Sequence, residues 1–330
     1  MTAIAGIDPK RTVLHFKAES TPGTYAAPSV GTDLAFRCTA LSQPTLYGEP
    51  DINRDDDVDA YPGGGIELEG AFGWQFEFEG YLPNWGDTSS ATGHPLAAFF
   101  AGCPVTITAG GSDGDDLTID GKNGLPGAAF SALISELGGN DYKLQGCQGI
   151  ISEIKADRSG GPLMIAGSVK GLWVETPAAT GITHNNVVYT SQLPVMNKGA
   201  ALTDGITGTK LGLGAWTFNP SMALEDEPDA LETNGYGIPF ARHAGKPVFQ
   251  YNVLARSESS HAVIAEWKAN AESALLLTLG TAGSEFEISL PKVRQRFPTA
   301  AEGNGKKRYD IVAAARWSQS DARAYRLIFS

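Results

Sequence analysis

The chain has 330 residues, 42% hydrophobic and 19% charged, a globular composition of about two domains' length that can bury a core without disulfides or metal. Its net charge of −12 excludes a general nucleic-acid binder. No run of 18 apolar residues occurs, which excludes a membrane-spanning helix. The 40 Gly and 19 Pro predict many turns and an all-β protein with few helices. Three distant cysteines, Cys38, Cys103 and Cys147, argue against a disulfide framework or zinc ribbon and predict reduced thiols of cytoplasmic origin. The first residues, Met1–Asp8, carry neither a basic start nor a long apolar core, so no signal peptide is expected.

In chain order, Gln43–Asp51 is a turn-rich stretch, followed by strong alternation from Ile66 to Glu79. Ile66, Leu68, Phe72, Trp74, Phe76 and Phe78 are apolar, with Glu67, Glu69, Gln75, Glu77 and Glu79 between them. Alternate side chains of an extended chain point to opposite faces. The pattern predicts one long strand, or two joined near Gly70–Gly73, with an aromatic face and a Glu face. Pro95–Ala101 predicts a helix with Pro at its first position. Ala128–Glu136 fits either helix or strand. Leu163–Trp173, Pro247–Ala255, Phe286–Leu290 and Tyr309–Trp317 are predicted strands. Ala262–Leu276, rich in helix formers and preceded by Ser259 and Ser260, is the second predicted helix.

These features recur in one order. Gln43-Pro44 and Glu49-Pro50-Asp51 precede the long strand, the Pro95 helix and a strand pair ending in Trp173. Asn219-Pro220 and Glu227-Pro228-Asp229 precede a strand, the Ala262 helix and a strand pair ending in Trp317. The order predicts an internal duplication, with Thr106–Gly127 as extra sequence in the first copy and a joint at Glu175–Asn186. The expected organisation is an arm at 1–34, a first domain at 35–178 and a second at 179–330. Charge divides along the same line. Residues 1–178 hold ten Lys/Arg against 23 Asp/Glu, and residues 179–330 hold 15 against 14. The halves are either two solvated surfaces or complementary faces that meet head to tail.

Few residues propose chemistry. Gly110-Gly-Ser112-Asp-Gly114 matches a nucleophile-elbow spacing, but Asp115-Asp116-Leu117-Thr118 cannot begin the helix that motif requires. A hairpin turn is expected there. Asp51, Asp55, Asp56, Asp57 and Asp59 resemble the start of a calcium loop, but Asp56 stands where Gly is needed and Pro62 where Glu is needed. The five His have no ligand spacing. Glu67, Glu69, Glu77 and Glu79 lie on a wet face rather than in the apolar pocket a catalytic acid needs. No catalytic residue, metal or cofactor is expected. Lys292, Arg294 and Arg296 share a strand face, suited to phosphate or, better, to an acidic surface of another subunit. Lys306, Lys307 and Arg308 extend that basic face.

Three stretches carry a family resemblance: Lys17–Asp33, His94–Cys103, and Leu144-Gln-Gly-Cys147 with the following Ile150–Lys155 and Gly160–Trp173. They are similar to the opening, the single helix and the closing strands of tail tube (major tail) proteins of long-tailed, non-contractile phages. Leu290-Pro-Lys-Val-Arg294 stands where the second copy lacks the Gly-Cys element. The resemblance implies two tandem β-sandwich or partial-barrel domains, each flanked by one helix. It implies a structural virion protein whose stacked rings form a hollow conduit for double-stranded DNA, passed without specific binding. A tandem pair implies homotrimer rings with pseudo-sixfold symmetry, the homohexamer being the alternative. Tape measure, terminator and distal tail proteins are the implied partners, with no membrane. The implied location is the virion tail, and host cytoplasm during assembly. Asp51 to Asp59 are then expected in an inter-ring loop, Glu67, Glu69, Glu77 and Glu79 facing the lumen, and Lys292 to Arg308 at a subunit contact. The other reading is a virion β-sandwich that binds a carbohydrate or receptor, with Trp85 as its sugar platform.

Overall fold

The computed structural model describes residues 12–29, 31–48, 51–54, 66–69, 72–85, 94–109, 117–121, 128–136, 140–157, 160–174, 178–179, 187–204, 208–210, 212–227, 237–255, 263–270, 272–281, 284–303 and 305–330. Within them the protein is all-β, with antiparallel strands and two short helices.

The first half contains β1 (Thr12–Ala18), β2 (Ala35–Phe36), β3 (Cys38–Leu41), β4 (Thr45–Gly48), β5 (Asp51–Arg54), β6 (Ile66–Glu69) and β7 (Phe72–Tyr81). Then come α1 (Ala97–Ala101), β8 (Thr106–Ala109), β9 (Leu117–Gly121), β10 (Phe130–Glu136), β11 (Asn140–Ala156), β12 (Met164–Trp173) and β13 (Ala178–Ala179). The second half contains β14 (Ala201–Asp204), β15 (Gly208–Lys210), β16 (Trp216–Asn219), β17 (Met222–Glu225), β18 (Phe240–His243) and β19 (Val248–Leu254). It ends with α2 (Val263–Ala269), β20 (Ser273–Thr281), β21 (Ser284–Gln295), β22 (Thr299–Gly303), β23 (Lys306–Ala315) and β24 (Tyr325–Phe329).

Neighbouring strands of the first half run β2–β1–β10–β11–β12–β7, with β3 and β4 both on the far edge of β7. In the second half they run β15–β14–β20–β21–β23–β19–β16, with β22 continuing β21 alongside β23. A separate hairpin precedes the β7 or β19 strand in each, β5–β6 and β17–β18. Each half also carries the same break in register. Phe130 faces Cys147 and Ala132 faces Leu144, while Ser273 faces Val293 and Leu275 faces Leu290. One strand advances two residues where its partner advances three, which is a β-bulge.

The alternating aromatics do what their period dictates. Phe76 and Phe78 are buried while Glu77 is exposed on the other face of β7. Phe78 stands 5.0 Å from Phe99 of α1 and 5.5 Å from Phe16 of β1, ring centroid to centroid. Glycine makes this approach possible. A Cβ on Gly149 would lie 2.5 Å from the Phe99 ring, and one on Gly167 2.8 Å from Phe78 and Phe99, so the helix presses on a strip of bare backbone.

Several expectations are corrected. Thr12–Ala18 is not an arm but a strand inside the sheet, with Val13, Leu14, His15 and Phe16 buried. Ala128–Glu136 resolves as strand β10, whose seven residues are all buried between β1 and β11. The second helix stops at Ala269, where Asn270 takes a positive φ of 52°. Leu275, Leu277 and Leu279 then bury one face of β20, so period-2 burial overrides their helix propensity. Of the two readings of the Ile66–Glu79 alternation, the two-strand one is found, but the strands lie in different sheets: among the described residues β6 pairs only with β5, and β7 joins the main sheet.

The halves are also laced together. Residues 187–197, beyond the expected joint, run along the first half: Ala35 N–H donates to Val188, Asn84 N–H to Leu193 and Leu163 N–H to Val195. The expected extra segment forms the β8–β9 hairpin, and β9 pairs along its length with β24 of the second half. Buried Asp120 fixes this seam. Arg326 reaches its two carboxylate oxygens at 2.6 and 2.9 Å, and Arg323 adds a contact at 3.0 Å. Asp120→Ala removes these charge-assisted bonds but leaves Arg323 and Arg326 partly open to water, so it is expected to lower unfolding free energy by about 1.5–3 kcal/mol, read by urea denaturation. A loss below about 1 kcal/mol would show that the strands alone hold the seam.

Candidate assembly interface

The halves meet through backbone pairing. After β10 leaves its side, the end of β11 takes up β16: Ile154 faces Phe218, Lys155 faces Thr217 and Ala156 faces Trp216. Ile154, Ala156, Trp216 and Phe218 are all buried, and the Trp216 indole N–H donates to Asn197 Oδ1 at 3.1 Å. The β17–β18 hairpin then leans over the first half. Asp226, just beyond β17, pairs with Lys170 of β12 at 2.6 Å, and Lys170 also lies over the Tyr47 ring.

A row of paired residues crosses this junction: Tyr81, Met164, Lys155 and Thr217. The matching row of the second half is Leu254, Arg308 and Ala301. It ends there, because β22 pairs only with β23 among the described residues. At the other end of this strand order, β3 and β4 pair only with β7 among the described residues, whereas their counterpart β16 has both neighbours. Among the described residues each half thus keeps an open edge along this strand order, although β8 and β15 also pair on one side only.

The expected basic face is partly consumed inside the chain. Lys292 and Arg316 both bind Glu272, at 2.7 and 2.5 Å, and the Lys292 hydrogen bond leads in holding that carboxyl below the usual range. Arg308 is held by Asn252 and the Gly212 carbonyl. Lys306 and Lys307 are exposed at the β22–β23 turn. Arg294 and Arg296 are exposed and make no ion pair among the described residues. They border a groove of about 450 Å³ with Lys246, Arg316, Trp267 and Phe297. Phe297 is 58% exposed and packs edge-on against the half-exposed Trp267, centroids 4.9 Å apart.

The four glutamates do not form one face. Glu67 and Glu69 belong to the β5–β6 hairpin, Glu77 and Glu79 to β7. Glu77 is exposed, and Glu79 is partly neutralised by Lys155 at 2.9 Å, which also binds Glu153 at 2.7 Å. Asp51 opens β5. Asp55, Asp56, Asp57 and Asp59 lie outside the described residues, as do Gly110–Gly114. Leu117–Gly121, further along, form strand β9, paired antiparallel with β8, where a nucleophile elbow needs a helix.

Trp85 is no sugar platform. It is 2% exposed and stacks on His94 with centroids 3.9 Å apart and planes 4° apart. His94 Nδ1 accepts from Leu96 N–H at 3.1 Å, which puts the ring proton on Nε2, facing the Pro83 carbonyl at 3.1 Å. Sequence reading also missed Glu19. Its carboxylate accepts from the Ser131 hydroxyl and from Gly146 N–H at the bulge, at 2.7 and 2.8 Å, and from Gly23 N–H at 2.7 Å. Only its place in a polar stretch before a Pro-Gly turn marked it.

No protein-family model matches this sequence, and no curated protein shows significant sequence similarity to it.

Burial drives the His94 pKa down to about 3 and lowers that of His15. Neither His15 ring nitrogen has a partner among the described residues. The unfolded chain takes up these protons below about pH 6.5 while the folded chain does not. Stability is therefore complete above about 6.5 and falls as pH drops towards 3, by up to about 1.4 kcal/mol per pH unit for His94, with the lowered His15 adding to the fall in the same direction. Thermal unfolding across that window should show the decline, and His94→Gln should flatten it relative to its own value at pH 7. An identical slope in the variant would assign the acid lability elsewhere.

Proposed function

We propose that the protein is a structural subunit that assembles into stacked rings, the tail tube of a long-tailed phage, and acts as a conduit for DNA. The observation that carries this reading is the repetition of one strand order, one set of pairings and one bulge in both halves, with a sheet that continues from the first half into the second. A unit that already joins itself once, edge to edge, is the element a closed ring requires. On this reading the chain is an internal duplication, three chains make a ring of pseudo-sixfold symmetry, and tape measure, terminator and distal tail proteins meet its ends. The duct is lined by the polar face of the shared sheet, where Glu77 and its counterpart in the second half, Gln250, stand exposed. Its cations are already engaged, Lys155 by Glu79 and Glu153 and Lys170 by Asp226, so a duplex finds few free cations to hold its phosphates and can slide.

Electron microscopy of the purified protein tests this. Rings or tubes with six similar lobes per layer, and three chains per ring by native mass measurement, are the expected result. Six chains per ring would refute the tandem arrangement, and a monomer at every concentration would refute the tube.

A further inference from the structure

We propose that the open edge of β22, with the Arg294–Arg296 groove beside it, receives the β3–β4 edge and the acidic β5–β6 hairpin of a second copy of this chain. The proposal deepens the tube reading and rests on it for the existence of an assembly. The contact itself is read from the junction inside one chain.

There the end of β11 accepts β16, and the hairpin that follows β16 leans over β11 and β12. Each participant has a counterpart. Ala301 occupies in its row the place of Lys155, since both face the strand that pairs with β7 or β19 at its last residue. Ser42 occupies the place of Thr217: its N–H donates to the Glu77 carbonyl, Glu77 faces Ser168, and Thr217 faces Gln250, which faces Val312. Repeating the junction between two chains sets Ala301 of one copy opposite Ser42 of the next. Both edges are exposed: Ser42 and Gln43 on one side, Thr299, Ala300 and Glu302 on the other. Unpaired strand edges are templates for another strand.

Charge selects the same arrangement. The β5–β6 hairpin follows β4 as β17–β18 follows β16, and its sequence holds Asp51, Glu67 and Glu69 against Arg54. The surface it would cover holds Arg294 and Arg296, which make no ion pair among the described residues, beside Lys246 and the exposed Phe297–Trp267 pair. Inside the chain the same contact already sets an acid from the hairpin side, Asp226, on a base of the sheet, Lys170. Covering Phe297 and Trp267 supplies apolar burial, and the arginines set register and speed encounter.

Two measurements test it. In a Cys38→Ser background, Ser42→Cys with Ala301→Cys should give, on mild oxidation of assembled protein, disulfide-linked multimers, while each single cysteine variant stays unlinked; directly opposed strand residues lie within disulfide reach. If that pair impairs folding, Gln43→Cys with Ala300→Cys reads the same edge. Separately, Arg294→Glu with Arg296→Glu should slow assembly at low salt at least about tenfold, with circular dichroism unchanged, and adding Glu67→Arg and Glu69→Arg should restore it. Assemblies that form without either cross-link overturn the strand pairing and leave the tube reading standing. An assembly rate untouched by the charge reversal overturns the hairpin contact. A wild-type chain that stays monomeric overturns both.

Discussion

A strand edge exposes a line of N–H and C=O groups, and each must find a partner or meet water. That requirement organises this molecule. The end of β11 is covered by β16, the rim of β24 by β9, and the rim of β1 by β2. Each covering strand comes from elsewhere in the chain, so the separate parts become one sheet. Side chains then reinforce what the backbone has joined. Trp216 and Phe218 fill the β11–β16 seam, Asp120 clamps the β9–β24 seam, and Glu19 satisfies the bulge at Gly146.

Much of the fold was legible because burial has a period. The aromatic alternation of Phe76 and Phe78, the Pro95 helix and the strands around Ile165 and Ile311 all follow from side chains that must alternate or recur on one face. The second helix was overextended because Ala and Leu fit both states, and only the sheet waiting for Leu275, Leu277 and Leu279 decides between them. The β6–β7 break was visible only as a Gly-rich interruption, since an unbroken period cannot say which strand pairs with what.

The interface was legible in part. The charge split located an acidic half and a basic end, but formal charge does not reveal which cations are already engaged. Lys292, Arg316, Arg323 and Arg326 have carboxylate partners within the chain, and Arg308 has Asn252. Those partners lie far away in sequence, and no local pattern marks them. Arg294, which β21 turns outward, and Arg296 just beyond it remain exposed beside the β22 edge, which pairs only with β23 among the described residues. Trp85 shows the converse error: a tryptophan beside Pro and Asn reads as a loop aromatic, yet it is stacked inside the core on His94.

The β9–β24 seam imposes an order on biosynthesis. Asp120 and its partner Arg326 are 206 residues apart. A ribosome therefore exposes β8–β9 long before the strand that pairs with it has left the exit tunnel. Until β24 emerges, β9 has an unfilled edge and a carboxylate without its cations. Contacts so distant in sequence close slowly, so a nascent chain that lacks β24 has no finished seam to offer a neighbour.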